Sequence, residues 1–464
     1  MVSAKTERIL FMGLTFVITA AAAEIALITV TFSRFREKAA WLKNRTLTTA
    51  VETIMLLGII LLPTTYLKWR FALATVVLFV RLIFEAIRYA AARKKASGEK
   101  NKAAAIVSGV LAIVFVALTL VPAFVFKNYN GLETTGPLTV ASSSAILVDK
   151  SRLDSFENDG SNREVPVHFF YPEEKGEYPL VLFSHGAFGY YQSNYSTYTE
   201  LASSGYVVAA LDHPHHAFFT TDTSGNTVIV DSTFFNDAMT IGSSSDISED
   251  EIFKITQAWM EIRTADENFV IDTIESTKTS STLGEEWYTD DESEILSVIS
   301  KTDVDKIGLM GHSMGGATSV ALGRERSDID AVIDMDGTML TERVSVNNRK
   351  YQYISEPYPV PILDFTKEVD YNERKQFESE NGYIYVNDHV IANAADGRTV
   401  VFGGAAHMDF TDLPLISPIL SSMLDGGESS VDNEEFMTTV NGIVLGWFNH
   451  YLKGEGLPEI RDHY

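Results

Sequence analysis

Long apolar segments alternate with short charged ones over the first quarter of the chain. Four apolar runs occur there, each close to the ~20 residues with which a helix crosses the hydrocarbon core of a bilayer. The runs are residues 9–32, 47–67, 71–91 and 103–126. They predict a four-span transmembrane module within residues 1–128 that contacts the bilayer through residues 9–126. A cleaved signal peptide or a buried soluble helical bundle fits less well, because a signal peptide has a shorter apolar stretch and is not followed by three further spans.

The cations between these runs predict an orientation. Five Lys and Arg residues lie between the first and second runs and five between the third and fourth, whereas the second and third runs are separated by two. Short loops rich in Lys and Arg stay in the cytoplasm. We therefore expect a multi-pass protein of the cell membrane whose chain beyond residue 126 lies outside the cytoplasm.

Four charged residues fall inside the apolar runs: Glu24, Glu52, Arg81 and Glu85. Such groups are costly in lipid unless they are paired. Arg81 and Glu85 are four residues apart and can pair on one face of a helix. We expect mutual neutralisation within a small bundle in preference to an ion pathway or a ligand site.

Beyond a connector at residues 129–160, short apolar runs alternate with longer amphipathic stretches, which is typical of an α/β sheet. Candidate strands are residues 165–171, 180–184, 206–211, 306–311, 331–335, 360–364 and 399–402, and candidate helices are residues 250–275, 315–324 and 433–453. Several strands are continuous runs of Val, Ile and Leu, as in strands buried on both faces of a parallel sheet. Residues 161–464 are therefore predicted to form one α/β domain.

A polar segment at about 213–284 interrupts this domain. It is rich in Ser, Thr, Asp and Glu and is longer than a simple connection, so we expect a cap or surface excursion beside a site. His213, His215 and His216 lie at its start. A proline within this histidine cluster and the lack of suitably spaced carboxylates argue against a metal site there.

The charge of the chain is divided as sharply as its hydropathy. Residues 1–128 carry 17 Lys and Arg against 6 Asp and Glu, whereas residues 129–464 carry 20 against 56. A net charge of −36 on the second part excludes nucleic acid as a partner, because phosphates require clusters of Lys and Arg. The 464-residue chain has no cysteine, and so it has neither a disulfide framework nor a thiolate nucleophile.

The strongest chemical motif is Gly-His-Ser-Met-Gly at residues 311–315. An apolar strand leads into it and a predicted helix follows, which is the setting of a nucleophile elbow. In such an elbow Ser313 is held in a strained turn at the helix N-terminus, while Gly311 and Gly315 allow the strand and helix to approach each other. His312 completes the elbow. We predict that Ser313 is a nucleophile.

An elbow serine needs a base and an orienting acid, which follow it in the order Ser, Asp or Glu, His. The next strand offers Asp334 and Asp336, and we favour Asp336 because it precedes Gly337 where the strand passes into a loop. Asp334 lies within the apolar run, as a residue that makes structural hydrogen bonds would. The last predicted strand is followed by a loop with small residues that lead to His407, our candidate base.

The oxyanion of an acyl-transfer intermediate needs backbone N–H donors, one after the nucleophile and another after an earlier strand. Met314 supplies the first. Ala187, in the glycine-bearing loop after the strand at residues 180–184, is our choice for the second. His185 precedes Ser313, against the order of the fold, and is not our candidate base. This chemistry requires no metal and no organic cofactor.

Three segments resemble the platelet-activating factor acetylhydrolase branch of the α/β hydrolases and its bacterial relatives. They are Phe-Ser-His-Gly at 183–186, Gly-His-Ser-Met-Gly-Gly-Ala-Thr at 311–318 and His-Met-Asp-Phe-Thr-Asp at 407–412. The resemblance covers about residues 160–464 and none of the apolar runs. It implies an α/β-hydrolase fold with Ser313 as nucleophile, Asp336 as acid and His407 as base, and with the N–H groups of Ala187 and Met314 as oxyanion hole. The Gly-Ala-Phe-Gly oxyanion loop, the acidic excursion and the membrane module depart from the family.

Together these features predict a membrane-anchored serine ester hydrolase, with a phospholipid or short-acyl lipid ester as candidate substrate. The charge of −36 would repel anionic headgroups and so favours zwitterionic or neutral lipids. Polyester or small-ester hydrolysis and acyl transfer remain open as alternatives. So do a membrane sensor or transporter with a ligand-binding domain and a structural surface protein. The sequence leaves the oligomeric state open.

Overall fold

The computed structural model of the protein describes residues 18–27, 29, 37–94, 101–243, 247–427, 429–456 and 459–464. The chain divides into two units. The first contains the described residues of Met1–Gly131 together with Leu413–Leu424, and the second contains those of Leu132–Asp412 and Asp425–Tyr464. Part of the first predicted span, residues 9–17, lies outside the described residues.

Helices make up the early part of the chain, and strands and helices alternate after it. The α-helices are α1 (Ile18–Leu27), α2 (Lys38–Ile60), α3 (Ala72–Lys94), α4 (Lys102–Thr119), α5 (Val121–Val125), α6 (Tyr195–Ser203), α7 (Ser232–Ser243), α8 (Glu249–Ser280), α9 (Glu292–Lys301), α10 (Met314–Glu325), α11 (Glu368–Asn381), α12 (Val386–Asn393), α13 (Leu413–Ile416), α14 (Pro418–Leu424) and α15 (Asn433–Lys453). Short 3₁₀ helices occur at Lys68–Phe71, Leu340–Glu342 and His407–Phe410. The strands are β1 (Val140–Leu153), β2 (Asn162–Pro172), β3 (Tyr178–Ser184), β4 (Val207–Leu211), β5 (Phe219–Thr221), β6 (Thr227–Ile229), β7 (Trp287–Tyr288), β8 (Thr302–His312), β9 (Ile329–Met335), β10 (Arg343–Asn347), β11 (Lys350–Tyr353), β12 (Ile362–Lys367) and β13 (Gly397–Phe402).

The first unit is helical, but it does not show four membrane spans. Among the described residues, α4 is the one helix both long and apolar enough to cross a membrane, and α1 is apolar but shorter. The predicted second span is displaced, because α2 begins at Lys38 and includes Lys43 and Arg45, which we expected in a loop. This segment is rich in Ala, Leu and Lys, which favour helix. The third helix carries Arg81 near its middle and Glu85 and Arg88 in its second half.

Five charged residues of the helical unit meet in one buried cluster: Glu24, Arg45, Glu52, Arg81 and Glu85. Arg81 Nε lies 3.0 Å from Glu85 Oε1, which is the pair expected from their spacing. Arg81 also pairs with Glu24 and Glu52, and Arg45 Nε lies 2.7 Å from Glu85 Oε1. These pairs neutralise buried charges that would be costly alone.

Helices α13 and α14 belong to this first unit although they come late in the chain. The N–H of Lys127 donates to the carbonyl oxygen of Ile416 (2.7 Å), and Ser417 Oγ donates to the carbonyl oxygen of Val125 (2.7 Å). The chain therefore enters the helical unit a second time shortly after His407.

The second unit is built on a nine-stranded sheet with the order β13-β12-β9-β8-β3-β4-β2-β1-β7. The six strands from β13 to β4 are parallel, and β2, β1 and β7 continue the sheet in antiparallel pairing. All seven predicted strands are present. Strands β3, β4, β8 and β9 are almost wholly buried, as their continuous apolar sequences predict. The parallel strands bring the loops at their carboxyl ends to one edge of the sheet.

The prediction of a connector at residues 129–160 is wrong over β1. This strand pairs with β2 from Val140 opposite Pro172 to Asp149 opposite Arg163. Its inward side chains, such as Ala145 and Leu147, are buried while their neighbours are partly exposed. Polar residues at 142–144 and 149–150 flank the four-residue apolar run at 145–148, so most of β1 does not have the sequence of an apolar strand.

The polar excursion at about 213–284 is an ordered part of the second unit. It contains the β5–β6 hairpin, α7 and the 32-residue α8, which extends beyond the predicted helix at both ends. Ser248 caps α8 by accepting a hydrogen bond from the N–H of Glu251. The apolar side of α8, including Val270 and Ile271, joins the main core. The excursion thus supplies a long helix that packs beneath the loops of the sheet edge.

Candidate active site

Ser313 occupies a sharp turn between β8 and α10. Its backbone has φ 55° and ψ −121°, a region that non-glycine residues rarely adopt. The glycines around it are required by packing, since a Cβ on Gly311 would lie 2.2 Å from the carbonyl carbon of Gly315 and a Cβ on Gly315 would lie 1.9 Å from Ser184 O. Ser313 N–H donates to Met335 O (2.8 Å), which ties the turn to the next strand. The local sequence therefore forms the predicted elbow.

Asp336 and His407 come together beside this elbow. His407 Nδ1 lies 2.6 Å from Asp336 Oδ2, and the Asp336 side chain is buried. Burial alone would raise the pKa of Asp336, but its hydrogen bond with His407 and the charge of that ring lower this pKa below its ordinary value. Burial alone would lower the pKa of His407, whereas Asp336 raises it above its ordinary value. Each group therefore stabilises the charged form of the other.

His312 connects the elbow to the loop of His407. Its Nε2 donates to the carbonyl oxygen of His407 (3.0 Å), and the two ring centroids are 4.5 Å apart. Burial, and then the neighbouring His407, lower the pKa of His312 to about 3, so this ring is neutral. Within the described residues Ser313 Oγ has no hydrogen bond to His407. Such bonds are often long in unliganded enzymes and tighten when substrate binds.

Asp334 has different surroundings from Asp336. It is fully buried, and its Oδ1 accepts a hydrogen bond from the N–H of Gly337 (3.0 Å). Burial and the nearby carboxylates of Asp364 and Asp336 raise the pKa of Asp334 well above its ordinary value. The structure therefore pairs Asp336 with His407 and places Asp334 beneath the loop.

The loop that contains Ala187 lies against the elbow. A Cβ on Gly186 would be 3.2 Å from Ser313 Cβ and 2.9 Å from His312 Nδ1, so glycine permits this approach. In the described part of the chain, neither the N–H of Ala187 nor that of Met314 has a hydrogen-bond partner. Two free donors thus flank the nucleophile, as an oxyanion hole requires.

Arg263 of α8 holds this loop and was missed in the sequence. It is fully buried, and it donates through Nη1 to His185 O (2.5 Å) and through Nη2 to Gly186 O (3.3 Å). Gly186 O also accepts from His185 Nδ1 (2.7 Å) and from the N–H of Gly189 (3.1 Å). A single arginine in an amphipathic helix carries no local signal of such a role, because its partners lie almost 80 residues earlier.

A second Ser-His-Asp chain lies directly below the loop. Ser184 Oγ is 2.9 Å from His213 Nε2, and His213 Nδ1 is 3.0 Å from Asp266 Oδ2. All three side chains are fully buried, and Arg163 Nη2 lies 2.8 Å from the same Asp266 oxygen. Burial, with the charge of Arg263, lowers the pKa of His213 to about 4. The histidine cluster of the sequence therefore supplies part of a buried hydrogen-bond network.

An apolar cluster adjoins the two donors. Its buried members are Phe234, Trp259, Met260, Met314 and Ala317, and Ala187 and Phe188 pack against them. The first three come from α7 and α8, so the excursion contributes directly to the surroundings of the elbow. The excursion therefore forms an apolar side of the elbow.

Comparisons with known proteins agree with this architecture. Residues 156–456 match the family described as platelet-activating factor acetylhydrolase, isoform II. Platelet-activating factor acetylhydrolase of Cavia porcellus is 23% identical over 309 residues, which cover 62% of this chain and 61% of that protein. The enzyme of the same name from Bos taurus is 23% identical over 307 residues, or 62% of each chain. The chain thus spans about three fifths of the length of these relatives.

A solved structure gives the same fold. Ferulic acid esterase from Streptomyces cinnamoneus superposes with a TM-score of 0.51 at 21% identity, over 71% of this chain and 95% of that one. At this identity the likeness establishes an α/β-hydrolase fold for the second unit.

Proposed function

The chain belongs to the platelet-activating factor acetylhydrolase, isoform II, family, and on that premise we propose that it is a serine hydrolase of carboxylic esters. The observation that carries this proposal is the 2.6 Å contact between His407 and Asp336 beside the strained Ser313. A serine at an elbow, a histidine oriented by a carboxylate and two free N–H donors are the parts that acyl transfer needs.

In the proposed mechanism Ser313 Oγ attacks the ester carbonyl while His407 Nε2 takes its proton. Asp336 accepts a hydrogen bond from His407 Nδ1, and this fixes the ring and stabilises the imidazolium that forms. The N–H groups of Ala187 and Met314 bind the oxyanion of the tetrahedral intermediate. His407 then protonates the leaving alcohol, and a water molecule activated by the same histidine releases the acyl group from Ser313.

We propose an ester with a short acyl chain as substrate. The apolar cluster beside Ala187 and Met314 is closed by the aromatic side chains Phe234 and Trp259, both of which are buried. Because these rings are themselves buried, they leave little apolar surface beside the two N–H donors for a long acyl chain. The net charge of −36 over residues 129–464 favours substrates without net negative charge.

The proposal is tested on the full-length chain with Ser313→Ala. We expect hydrolysis of p-nitrophenyl acetate and butyrate to fall by about 10⁴ to 10⁶, because the residues of such a triad act as a unit. Ser184 offers an internal control, since it also contacts a histidine that contacts an aspartate. A fluorophosphonate should label Ser313 and leave Ser184 unlabelled in a peptide map. Full turnover by folded Ser313→Ala would exclude the mechanism.

We further propose that the helical unit attaches the enzyme to a membrane through α4. This helix has the required length and hydropathy, and it exposes large apolar side chains, including Val107, Val114 and Phe115. Exposed apolar surfaces of this extent mark contact with lipid or with another protein. The cations before α4 favour a position of the catalytic unit outside the cytoplasm.

The attachment is tested by fractionating cells that express the full chain. We expect the protein to stay with membranes after alkaline carbonate extraction. The double variant Val107→Glu and Val114→Glu should move to the soluble fraction, because charge on the exposed face of α4 opposes insertion. Lys102→Gln, at the start of the same helix, is the matched control. Digestion of the catalytic unit by protease added to intact cells would support the outer location, and protection would contradict it.

A further inference from the structure

A cavity of about 660 Å³ opens beside the acid loop of the site. Its wall includes Asp336, Gly337 and Thr338. Gly337 lies directly against the nucleophile, since a Cβ there would be 2.4 Å from Ser313 O. The opposite wall comes from the β10–β11 hairpin and α11. The cavity is therefore continuous with the loops that hold the reacting groups.

Arg343, the first residue of β10, is the unusual member of this wall. It is only 9% exposed, and its Nε is buried without a hydrogen-bond partner. In the described part of the chain no carboxylate lies within 4.0 Å of its guanidinium. Its Cζ lies 4.1 Å from the ring centroid of Tyr351, which fixes its position by a cation–π contact. A buried cation without a counter-charge is costly in free energy.

A second arginine faces the same cavity. Arg374 has a side chain that is 9% exposed, and its Nε also lacks a partner. Its nearest carboxylate oxygen among the described residues is Asp364 Oδ2, 3.9 Å from Nη1. Its Cζ lies 5.3 Å from the ring of Tyr385. Arg374 also donates through Nη2 to Thr366 Oγ1. Both arginines contact tyrosine rings and keep an unused Nε donor, but only Arg343 lacks an ion pair among the described residues.

The carboxylates of the cavity wall do not contact Arg343. Asp336 is engaged by His407, and Asp370 by Lys367 at 3.2 Å. Glu249 accepts a hydrogen bond from Tyr351, and Glu373 is exposed to solvent. Among the described residues, Arg343 is therefore a buried cation of this wall that has no ion pair.

We propose that this cavity is a substrate subsite that binds an oxyanionic group of the ester, either a phosphate or a carboxylate, through Arg343 with Arg374 beside it. A guanidinium matches both groups because its N–H donors can bind two oxygens at once. The subsite rests on the proposed ester hydrolysis and narrows its substrate class to esters that carry an anionic oxygen group. A zwitterionic lipid can place its phosphate in this subsite. Because its own cation balances that phosphate, the net charge of −36 on residues 129–464 does not repel the lipid.

The test compares wild type with Arg343→Gln, and uses Lys350→Gln as the control. Lys350 begins β11 of the same hairpin, is exposed, and does not line the cavity. Three esters are assayed: neutral p-nitrophenyl butyrate, mono-p-nitrophenyl succinate with a free carboxylate, and a dibutyryl phospholipid measured against dibutyrin. We expect Arg343→Gln to raise KM for an oxyanion-bearing ester by about tenfold or more, as loss of a charged hydrogen bond does. Hydrolysis of p-nitrophenyl butyrate should stay within about twofold.

The succinate ester and the phospholipid together show which anionic group the subsite binds. A selective loss on the succinate ester assigns a carboxylate, and a selective loss on the phospholipid assigns a phosphate. An equal loss on all substrates, or no loss on any, overturns the subsite. Arg343→Lys keeps the charge and should recover part of the selectivity. Such a recovery would show that the loss in Arg343→Gln comes from the missing charge and not from misfolding.

A binding measurement separates this proposal from the catalytic one. Inorganic phosphate and acetate are titrated calorimetrically into the full-length wild type and the two glutamine variants. Binding that weakens about tenfold or more in Arg343→Gln and is unchanged in Lys350→Gln supports the subsite even if no ester is hydrolysed. Absence of binding in wild type, together with equal hydrolysis of neutral and anionic esters, overturns it.

Discussion

The guanidinium of Arg263 donates a hydrogen bond to the carbonyl oxygen of Gly186. A trans peptide is planar, and its C=O and N–H point in opposite directions. The N–H of Ala187 belongs to the same peptide as Gly186 O. By holding that oxygen toward the interior, Arg263 directs the N–H of Ala187 toward the opposite side, where the elbow lies.

Arg263→Met should therefore lower kcat for p-nitrophenyl butyrate by about 10- to 1000-fold with little change in KM, as loss of an oxyanion donor does. Arg263 is a positioning residue, so Arg263→Lys should restore part of kcat. Lys278→Met, a change of cation on the same helix, serves as the control and should leave kcat unchanged. A rise in KM with kcat preserved would show that Arg263 does not act through the oxyanion donor.

Asp334 and Asp336 provide a matched pair two residues apart. Asp336→Asn should lower kcat by about 10⁴, because the amide can no longer orient the neutral form of His407 correctly. Asp334→Asn should change kcat by only a few fold, since burial already raises the pKa of Asp334 well above its ordinary value and favours its neutral form. Steady-state assays of both variants decide between the two carboxylates. Equal losses would remove the distinction.

Activity should depend on pH through His407. The base must be neutral to accept a proton, and Asp336 raises the pKa of His407 above its ordinary value. The ratio kcat/KM should therefore be lost as pH falls through a midpoint above about 6.5, the value for an unperturbed histidine. A pH–rate profile from pH 5 to 9 measures this midpoint, which belongs to the coupled pair. A midpoint near pH 4 to 5 would assign the acid limb to a carboxylate instead.

Two glycines should respond oppositely to alanine. A Cβ on Gly316 would lie 1.8 Å from Asp334 Oδ1, so Gly316→Ala should destabilise the second unit by about 1–3 kcal/mol through overpacking. A Cβ on Gly442 of α15 would have nothing within 4 Å, so Gly442→Ala should stabilise the second unit by about 0.5–1 kcal/mol. Thermal unfolding of the full-length variants measures both. A stabilised Gly316→Ala variant would contradict the packing of the elbow.

The parts that could be predicted from sequence are those with local causes. The elbow could be predicted because Gly311, Ser313 and Gly315 form one turn between a strand and a helix, and the parallel strands because burial on both faces makes their sequences continuously apolar. Strand β1 was not predicted, since polar residues flank its short apolar run and its long pairing with β2 is a contact that the local sequence does not show. The pairing of Arg263 with Gly186 and the isolation of Arg343 depend on contacts across long stretches of chain, and no local pattern encodes them.

The helical segments were predictable as helices but not as spans. Apolar composition indicates a helix, while the charged residues of α2 and α3 decide how much of each helix lipid would tolerate. The ends of these helices differ from the ends of the apolar runs. Charged residues such as lysine also favour helix, and so α2 begins at Lys38, before its apolar run.

The interleaving of the two units along the chain limits how this protein can be divided. The polypeptide passes between them after residue 131, after 412 and again after 424. A truncation that removes the first 131 residues would also remove the partners of Ile416 and Ser417, and it would leave the segment that follows the His407 loop without its packing. A gene fragment that encodes the hydrolase must therefore also encode the first 131 residues if residues 413–424 are to keep these hydrogen bonds.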